Sequence, residues 1–536
     1  MRRSSPSREP LLLAMFAPGA LALWYGDVAI AAAISAVAGA RLLLTCAIQA
    51  RAERALAAMG LAGLAHMPLA RTMDLIRQAV LLTVIAVTAA LVAVGAYRGL
   101  PADFRRTVVV SLVVGAAPLE LPAVTRALLA RAAGRMGRRG VILLRLSAVE
   151  TLAASTVVCT HRTGLLTQNR AIVTSVVADG QAYETSGADS PEGGISSAGR
   201  PVSLGDNAAL DECLRAGVAC NDAIVPEDGP WLIIGDPREG ALLTSAAKLG
   251  LGKAPRRVAT LPFTAHRRFM ATLHRQDDHE PGTVYVKGAV ERVLYLCRNQ
   301  LDRDGTTRRV DRTSVLAVAR SLERRGLDVL AFAAARVAPQ LSTLADAALP
   351  ELTFLGLQAV HDPIRRDAVD AVRACREAGV EVKLLTGMEA GVAGPGAAWV
   401  GLTRAPIVTG AQLAACSPAR LPAAVNEATV FAGLRPEETY GLVRTLQSLG
   451  HVVTLAGGSD EITAARFQAD TGVSTRDGDE SADVLLRGGG LASVAAAIGE
   501  ARGALRLITR TVAATFFACV SAAAIVIAFG GQCGLG

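Results

Sequence analysis

Aromatic residues and paired cysteines are scarce in this sequence. Phe, Trp and Tyr make up 4% of the 536 residues, and no Lys/Arg block is interleaved with them. A groove for single-stranded nucleic acid needs that combination, so the net charge of +8 does not indicate a nucleic-acid partner. The nine cysteines include no CxxC pair and no other metal spacing, which predicts reduced, structural thiols and no metal site.

Apolar residues, by contrast, are abundant. They make up 51% of the chain, and the mean hydropathy is +0.37. A helix of about 20 apolar residues crosses a bilayer, and arginine clusters mark its cytoplasmic end. Five segments approach that length, namely 11–25, 28–49, 79–97, 107–125 and 511–529. We therefore expect a multi-pass protein of the plasma (inner) membrane with about five transmembrane helices, buried core helices being the alternative.

The charge pattern also predicts which side of the membrane the large polar region occupies. Arginine clusters follow the fourth segment and precede the fifth, which places about residues 132–504 in the cytoplasm. The first segment follows three arginines and resembles a signal peptide. It has no small-residue cleavage site, so we expect an uncleaved anchor.

Short apolar runs alternate with helical patterns in this region. The runs "STVVCT" (155–160), "EVKLLTG" (381–387) and "HVVTLAGG" (451–458) are typical of strands, and helical spacing at 365–379 and 436–450 ends at Gly just before two of them. This order predicts an α/β fold with a doubly wound parallel sheet. Ligands of such sheets lie beyond the carboxyl ends of the strands. Residues 170–340 have strand signals of their own and are predicted to be an inserted domain.

Several motifs resemble those of one family. "STVVCTHRTGLLTQNR" (155–170) is similar to the phosphorylation loop of P-type ATPases, whose core reads D-K-T-G-T-L-T. "GDPREGALL" (235–243), "PFTAHRRFM" (262–270) and "KGAVERVL" (287–294) look like the nucleotide domain of the type II cation pumps. "LTFLGLQAVHDPIR" (352–365), "LLTGM" (384–388) and "LAGGSDEITAARFQADTG" (455–472) resemble the rest of the phosphorylation domain, in the family's order.

The resemblance implies a domain organisation. We expect a HAD-like phosphorylation domain in two parts, 132–169 with a stalk and 341–500, interrupted by an α+β nucleotide-binding domain at 170–340. Four membrane helices would occupy 1–131 and a fifth 501–536. Only a few residues join 49–59 to 67–78, where the family has an actuator domain with a T-G-E loop, and nothing resembles the family's later membrane helices. We therefore expect a truncated and degenerate member.

The resemblance places a histidine at the decisive catalytic position. His161 stands where the family has the aspartate that becomes phosphorylated. Thr439 stands at the catalytic lysine, and Gly458 and Ile462 stand at the two aspartates that bind Mg²⁺. A gap-free alignment puts Glu461 at the family's Asn. The residues of the family's site that remain are Arg162, Thr163, Gly164, Thr386 and Gly387. No functional catalytic site and no Mg²⁺ are expected, because phosphoryl transfer needs these charges.

Nucleotide binding is better preserved. The resemblance implies that Phe263 stacks on adenine, with Lys287 and Gly288 beside it. Asp328 replaces an arginine that contacts the nucleotide in the family, and Gly433 replaces another. We expect weak binding of ATP or another adenine nucleotide, or inherited residues without a ligand.

The family's ion-binding P-E-G-L-P segment is altered. It reads Pro118, Leu119, Glu120, Leu121, Pro122, so the carboxylate is displaced by one residue, which is about 100° around a helix. An intramembrane glutamate is an ion-pathway candidate by default. Glu120, Pro118 and Pro122 are therefore candidates, and a neutral relic is the alternative.

The sequence leaves three hypotheses open. The first is a catalytically inactive P-type ATPase homologue in the bilayer, with a regulatory role or a partner such as another membrane protein or a complete P-type ATPase. The second is an active cation-transporting ATPase that uses displaced carboxylates, Asp460 and Glu461, or phosphorylates His161. The third is a decaying gene product without a selected function.

Overall fold

A computed structural model describes most of the chain. Its described residues are 28–59, isolated positions between 75 and 102, and 121–532 except 227–230, 265, 278, 403–404, 459–461 and 480.

The described strands are numbered along the chain. They are β1 (Val141–Leu143), β2 (Val157–His161), β3 (Ile172–Ala178), β4 (Gln181–Thr185), β5 (Ile195–Ser197), β6 (Arg200–Val202), β7 (Arg256–Leu261), β8 (Phe269–Arg275), β9 (Gly282–Ala289), β10 (Cys297–Leu301), β11 (Thr307–Arg309), β12 (Asp328–Val337), β13 (Leu352–His361), β14 (Glu381–Leu385), β15 (Ile407–Thr409), β16 (Val430–Ala432), β17 (Val453–Ala456), β18 (Thr471–Ser474) and β19 (Val484–Leu486).

The described α-helices are numbered in the same way. They are α1 (Val28–Ala58), α2 (Leu121–Arg138), α3 (Ala148–Ala154), α4 (Ala208–Ala219), α5 (Pro237–Ala247), α6 (Val290–Leu296), α7 (Arg312–Arg324), α8 (Ala368–Glu377), α9 (Ala390–Trp399), α10 (Gly410–Ala415), α11 (Leu421–Glu427), α12 (Pro436–Ser448), α13 (Thr463–Gln468) and α14 (Leu491–Gln532).

The chain divides into two compact units, and the first contains the long helices. It takes the chain up to Ser155, Asp470–Gly489 and the residues from Ser493 onward. Its strands follow the order β1-β19-β18. Glu500 on α14 accepts from Arg135 Nε on α2 at 2.7 Å. Arg502 donates to the carbonyl oxygens of Ala153 and Ser155 at 3.0 and 2.8 Å, which fixes α14 against the end of α3.

Helices in the described part of the chain do not reach the combination of length and apolarity that a membrane span requires. The expected segment 28–49 lies in α1, and 511–529 lies in α14. Segment 11–25, about half of 79–97 and most of 107–125 lie outside the described residues, as do the actuator junction at 60–70 and both Pro118 and Glu120. Pro122 is the second residue of α2 and is half-buried.

The second unit, Thr156–Ala469 with Gly490–Ala492, contains the predicted parallel sheet. Its strands follow the order β17-β2-β14-β16-β15, and the paired neighbours run parallel. The predicted α/β fold with a parallel sheet is confirmed. The predicted glycine stops are also present, since Gly379 and Gly450 follow α8 and α12 with φ of +70° and +86°. Only glycine adopts this backbone conformation easily.

A second, 11-stranded sheet lies between β2 and β14 in the chain. Its main path is β6-β5-β4-β3-β13-β12-β9-β8-β7, with β10 and β11 attached beside β13. Helices cover both faces: Leu214 and Leu242 of α4 and α5 belong to one buried cluster, and Val293 and Leu322 of α6 and α7 to the other. The expected domain boundary at residue 340 falls between β12 and β13, which are antiparallel neighbours in this sheet. We call this part the inserted lobe.

Candidate functional site

Three loops converge at the carboxyl edge of the parallel sheet. β2 ends at His161, which pairs in register with Leu385 at the end of β14. On the other side, Thr160 pairs with Ala456 at the end of β17. His161, Thr386 and the glycines after Ala456 therefore lie at one edge, where a doubly wound sheet holds its ligand. The structure brings together the three segments that the sequence singled out.

The first loop turns tightly after β2. Gly164 has φ of +79°, and its N–H donates to Thr167 Oγ1 at 3.2 Å. Thr167 Oγ1 donates to Asp362 Oδ2 at 2.6 Å, which fastens the loop to the segment that follows β13. Thr163, which precedes Gly164, is exposed. The loop therefore keeps a fixed shape with one hydroxyl side chain directed to solvent.

His161 is uncharged at neutral pH. Burial, together with the positive charges of Arg238 and Arg466, lowers the pKa of its imidazole to about 4. An imidazole is a poor ligand for Mg²⁺, which prefers oxygen ligands, and it cannot form an acyl phosphate, because it has no carboxyl group.

Arg162 is a buried arginine beside this position. Its side chain is almost fully buried, and Nη1 donates to Met388 Sδ at 3.0 Å. Burial lowers the pKa of Arg162, while Asp362 and Asp328 act against that shift. Thioether sulfur is a weak acceptor, so Met388 satisfies this guanidinium poorly.

The second loop is held by hydrogen bonds. Thr386 N donates to Phe431 O at 3.0 Å, and Leu434 N donates to Thr386 O at 3.1 Å. The Thr386 hydroxyl accepts from Met388 N at 3.1 Å. A Cβ added at Gly387 would meet Leu434 O at 3.6 Å, an ordinary contact. The loop is therefore preorganised by Thr386 and not by lack of space at Gly387.

The third loop presents apolar groups to His161. A Cβ at Gly457 would lie 2.5 Å from Ile462 Cδ1 and 3.0 Å from His161 Cβ, so a side chain there would crowd both residues. Ile462 is buried. Arg466, also buried, donates to Gly457 O and to Thr463 Oγ1. The methyl groups of Ile462 thus lie near His161, at the position where the resemblance places a carboxylate.

Two further expected positions are found without catalytic charge. Thr439 is buried, and its hydroxyl donates to Arg435 O at 3.3 Å within the first turn of α12. Gly458 is the last described residue before the gap at 459–461, and Asp460 and Glu461 lie within that gap, outside the described residues. Within the described ranges, His, Cys, Asp and Glu side chains do not gather in groups of three that could hold a metal.

The expected adenine-binding residues lie in the inserted lobe, on either side of β8, which separates β7 from β9. Phe263 follows β7 and is 55% exposed, whereas Lys287 on β9 is buried and forms an ion pair with Glu239 on α5. Glu239 also accepts from Asp222 N at 2.8 Å. A Cβ at Gly288 would lie 2.5 Å from Arg268 O. The aromatic face is therefore accessible, but the lysine is already neutralised by the protein.

This chain is similar to known proteins over most of its length. A family model described as "P-type ATPase, cytoplasmic domain N" matches residues 209–367. A "Probable cation-transporting ATPase F" of Mycobacterium bovis is 39% identical over 427 residues, which is 75% of this chain and 47% of that protein. The chain belongs to the P-type ATPase family.

Other P-type ATPases show the same pattern. The "Cation-transporting ATPase pma1" of Synechocystis is 38% identical over 428 residues, covering 75% of this chain and 47% of its own length. The "Calcium-transporting ATPase" of Bacillus subtilis is 30% identical over 458 residues, covering 82% and 51%. The chain therefore spans about half the length of the curated relatives that it matches.

Sequence reasoning missed several charged residues of this P-type ATPase site. Arg466 donates to Gly457 O, Arg238 of the inserted lobe acts on His161 through its charge, and Glu389 pairs with Arg268. The signal for Glu239 was visible, since "GDPREG" keeps the family's acidic residue, but its pairing with Lys287 was not predictable from spacing.

Proposed function

We propose that this P-type ATPase does not transfer phosphate and acts in the membrane as a regulatory or partner-binding protein. Its partner would be another membrane protein or a complete P-type ATPase, and its large polar region would lie in the cytoplasm. The observation that carries this proposal is His161 itself: a neutral imidazole lies at the end of β2, beside an apolar Ile462.

The proposal rests on the combined loss of charged groups. The phosphoryl acceptor, the catalytic lysine and both metal-binding aspartates of the family correspond to His161, Thr439, Gly458 and Ile462. Removing one preorganised stabilising group costs roughly 10²–10³ in rate. Several such losses together leave a folded scaffold without the electrostatics that phosphoryl transfer requires.

Labelled ATP tests this proposal directly. With the purified full chain, Mg²⁺ and [γ-³²P]ATP, we expect no hydroxylamine-sensitive phosphoenzyme. His161→Asp alone should give none either, because the lysine and metal positions stay unchanged. A complete cation-transporting P-type ATPase, assayed in parallel, is the positive control. Hydroxylamine-sensitive labelling of the unaltered chain, or vanadate-sensitive ATP hydrolysis, would contradict the proposal.

The second candidate function is ATP-driven cation transport. The names of the relatives favour it, since these proteins are cation- and calcium-transporting ATPases. Two carboxylates, Asp460 and Glu461, also follow directly after Gly458 and Ser459. In that case the displaced carboxylates would bind Mg²⁺, and Asp460→Asn or Glu461→Gln would abolish the hydrolysis seen with the unaltered chain. A chain that hydrolyses no ATP eliminates this candidate.

Weak adenine binding is the second part of the proposal. The exposed ring of Phe263 can stack on a base, and stacking needs neither Mg²⁺ nor the parallel sheet. Lys287 can bind the ligand only if it gives up its ion pair with Glu239. We therefore expect binding that is weak, that does not depend on Mg²⁺, and that is reduced by Phe263→Ala.

A further inference from the structure

An ion pair joins the inserted lobe to the edge of the parallel sheet. Arg268 Nη2 lies 2.7 Å from Glu389 Oε1. Arg268 belongs to the loop between β7 and β8, which also contains Phe263, and Glu389 precedes the first residue of α9, directly after the Thr386 loop. The pair therefore connects the loop expected to hold adenine to one of the three loops around His161.

The backbone of Arg268 is strained in a way that fixes this contact. Its φ is +61°, a left-handed conformation that residues with a side chain seldom adopt. Arg268 N donates to Thr264 O at 2.8 Å, and Arg268 O accepts from Ala289 N at 3.0 Å. Gly288 leaves the space that Arg268 O needs. Strain that is held from both sides is typical of functional positions.

A second arginine–carboxylate pair lies within the inserted lobe. Arg238 Nη1 on α5 is 3.6 Å from Asp328 Oδ2 on β12, and that oxygen is buried and accepts no hydrogen bond from the described residues. The charge of Arg238 acts on His161, and that of Asp328 acts on Arg162. A Cβ at Gly326, just before β12, would touch Pro395 of α9 at 3.6 Å. The inserted lobe is therefore closed onto the site.

We propose that the Arg268–Glu389 pair is an internal bridge that occupies the path of a polyphosphate, and that this pair and the Arg238–Asp328 pair within the inserted lobe set the ligand preference of the proposed adenine site. An ATP stacked on Phe263 and reaching toward His161 would connect the same two regions that the Arg268–Glu389 pair connects. It would meet the carboxylates of Glu389 and Asp328, and like charges repel. The site then takes adenosine or a monophosphate in preference to ATP. This preference rests on the proposed adenine site, whereas the bridge itself does not.

Charge reversal tests the bridge without any ligand. In the purified full chain, Arg268→Glu and Glu389→Arg should each speed amide hydrogen exchange in peptides covering 264–268 and 386–390 about two- to fivefold, as expected for an exposed ion pair. The double variant should return exchange to that of the unaltered chain. Arg308→Glu, which breaks the Arg308–Asp302 pair inside the inserted lobe, should leave both peptides unchanged. Unchanged exchange in the single variants, or no recovery in the double variant, overturns the bridge.

Calorimetry with adenosine, AMP and ATP tests the preference. In the unaltered chain ATP should bind no more tightly than adenosine. In the double variant Asp328→Asn/Glu389→Gln the affinity for ATP should rise about tenfold relative to the affinity for adenosine. The control Asp370→Asn, on the exposed face of α8, should change the affinity for neither ligand. ATP that binds the unaltered chain more tightly than adenosine overturns the preference. If adenosine, AMP and ATP all fail to bind, the adenine part of the proposed function falls, and hydrogen exchange still decides the bridge.

Discussion

At the scale of single residues, His161 combines a titratable ring with surroundings that oppose its charge. Its pKa is lowered from 6.5 to about 4 in the folded chain by burial and by Arg238 and Arg466. Between these two values the unfolded chain therefore binds the proton that the folded chain does not. The contribution of His161 to stability is constant above pH 6.5 and falls as the pH drops toward 4.

Replacing the ring should flatten this pH dependence. In His161→Gln the free energy of unfolding should decline less steeply between pH 6.5 and 4 than in the unaltered chain, by up to about 1.4 kcal/mol per pH unit. Denaturant unfolding at a series of pH values measures it. His279→Gln, in an exposed loop, is the matched control. Equal slopes for His161→Gln and the unaltered chain would show that the ring titrates normally in the folded protein.

Lys383 is a fully buried lysine in the middle of β14. Its ammonium group donates to Glu381 Oε1 at 2.9 Å and to the carbonyl oxygens of Asn426 and Ala428, both at 2.8 Å. All three protons are thus used, which is the condition for burying such a group. The sequence pattern "EVKLL" hides this role, because the lysine sits in an otherwise apolar run.

Lys383→Met should destabilise the chain by about 2–3 kcal/mol, because two buried carbonyls lose a charged donor. Denaturant unfolding measures the loss. Glu381→Gln should cost less than about 1 kcal/mol, since the Glu381 side chain is 38% exposed and water can solvate what remains. A methionine variant as stable as the parent would mean that these carbonyls find other donors.

At the scale of elements, the sequence predicts the parallel strands better than the antiparallel ones. β2, β14 and β17 are short apolar runs followed by small or polar residues, and their helices end at Gly379 and Gly450, so local signals suffice. The inserted lobe depends on distant pairings such as Val360 of β13 with Val173 of β3. No local pattern specifies a partner that far along the chain, so the membership of β13 in that sheet could not be predicted.

The close approach of β8 and β9 gives a prediction for one glycine. In Gly288→Ala the new methyl would lie 2.5–2.7 Å from Arg268 O and from Phe269 Cβ and Cα, mostly backbone that cannot rotate away. We expect a loss of about 1–3 kcal/mol in unfolding free energy. Gly441→Ala in α12, where nothing lies within 4 Å of the new methyl, should instead be neutral or stabilising by up to about 1 kcal/mol. Equal effects would show that the strands separate easily.

At the scale of the whole molecule, the arginine clusters and the apolar segments of the sequence predict an integral membrane protein. Residues 511–529 form part of α14, and the described side chains of Phe516 and Phe517 are exposed. We expect the full chain to stay in the membrane pellet after alkaline carbonate extraction and to be released by detergent, because apolar helices do not leave the bilayer at high pH. Release by carbonate alone would contradict membrane insertion.

At the scale of the whole molecule, the candidate site could be predicted from the sequence only in part. The positions of His161, Thr386 and Gly458 follow from the order of strands, because the carboxyl ends of parallel strands meet at one edge. The pair Arg268–Glu389 depends on how the inserted lobe meets that edge, and the pair Arg238–Asp328 depends on how α5 lies beside β12. Side-chain pairing between such distant elements is a property of the folded chain, and the spacing of residues contains no signal for it.

The insertion also affects the order in which the chain can fold during synthesis. β2 pairs with β14 and β17, but residues 162–380 must be made before β14 begins. At about 5–20 residues per second this takes on the order of ten to forty seconds. Throughout that time the apolar strand "VVCTH" has emerged from the ribosome without its native neighbours, while the inserted lobe completes its own sheet. A chaperone that binds extended apolar segments would find β2 accessible at this stage and covered in the finished protein.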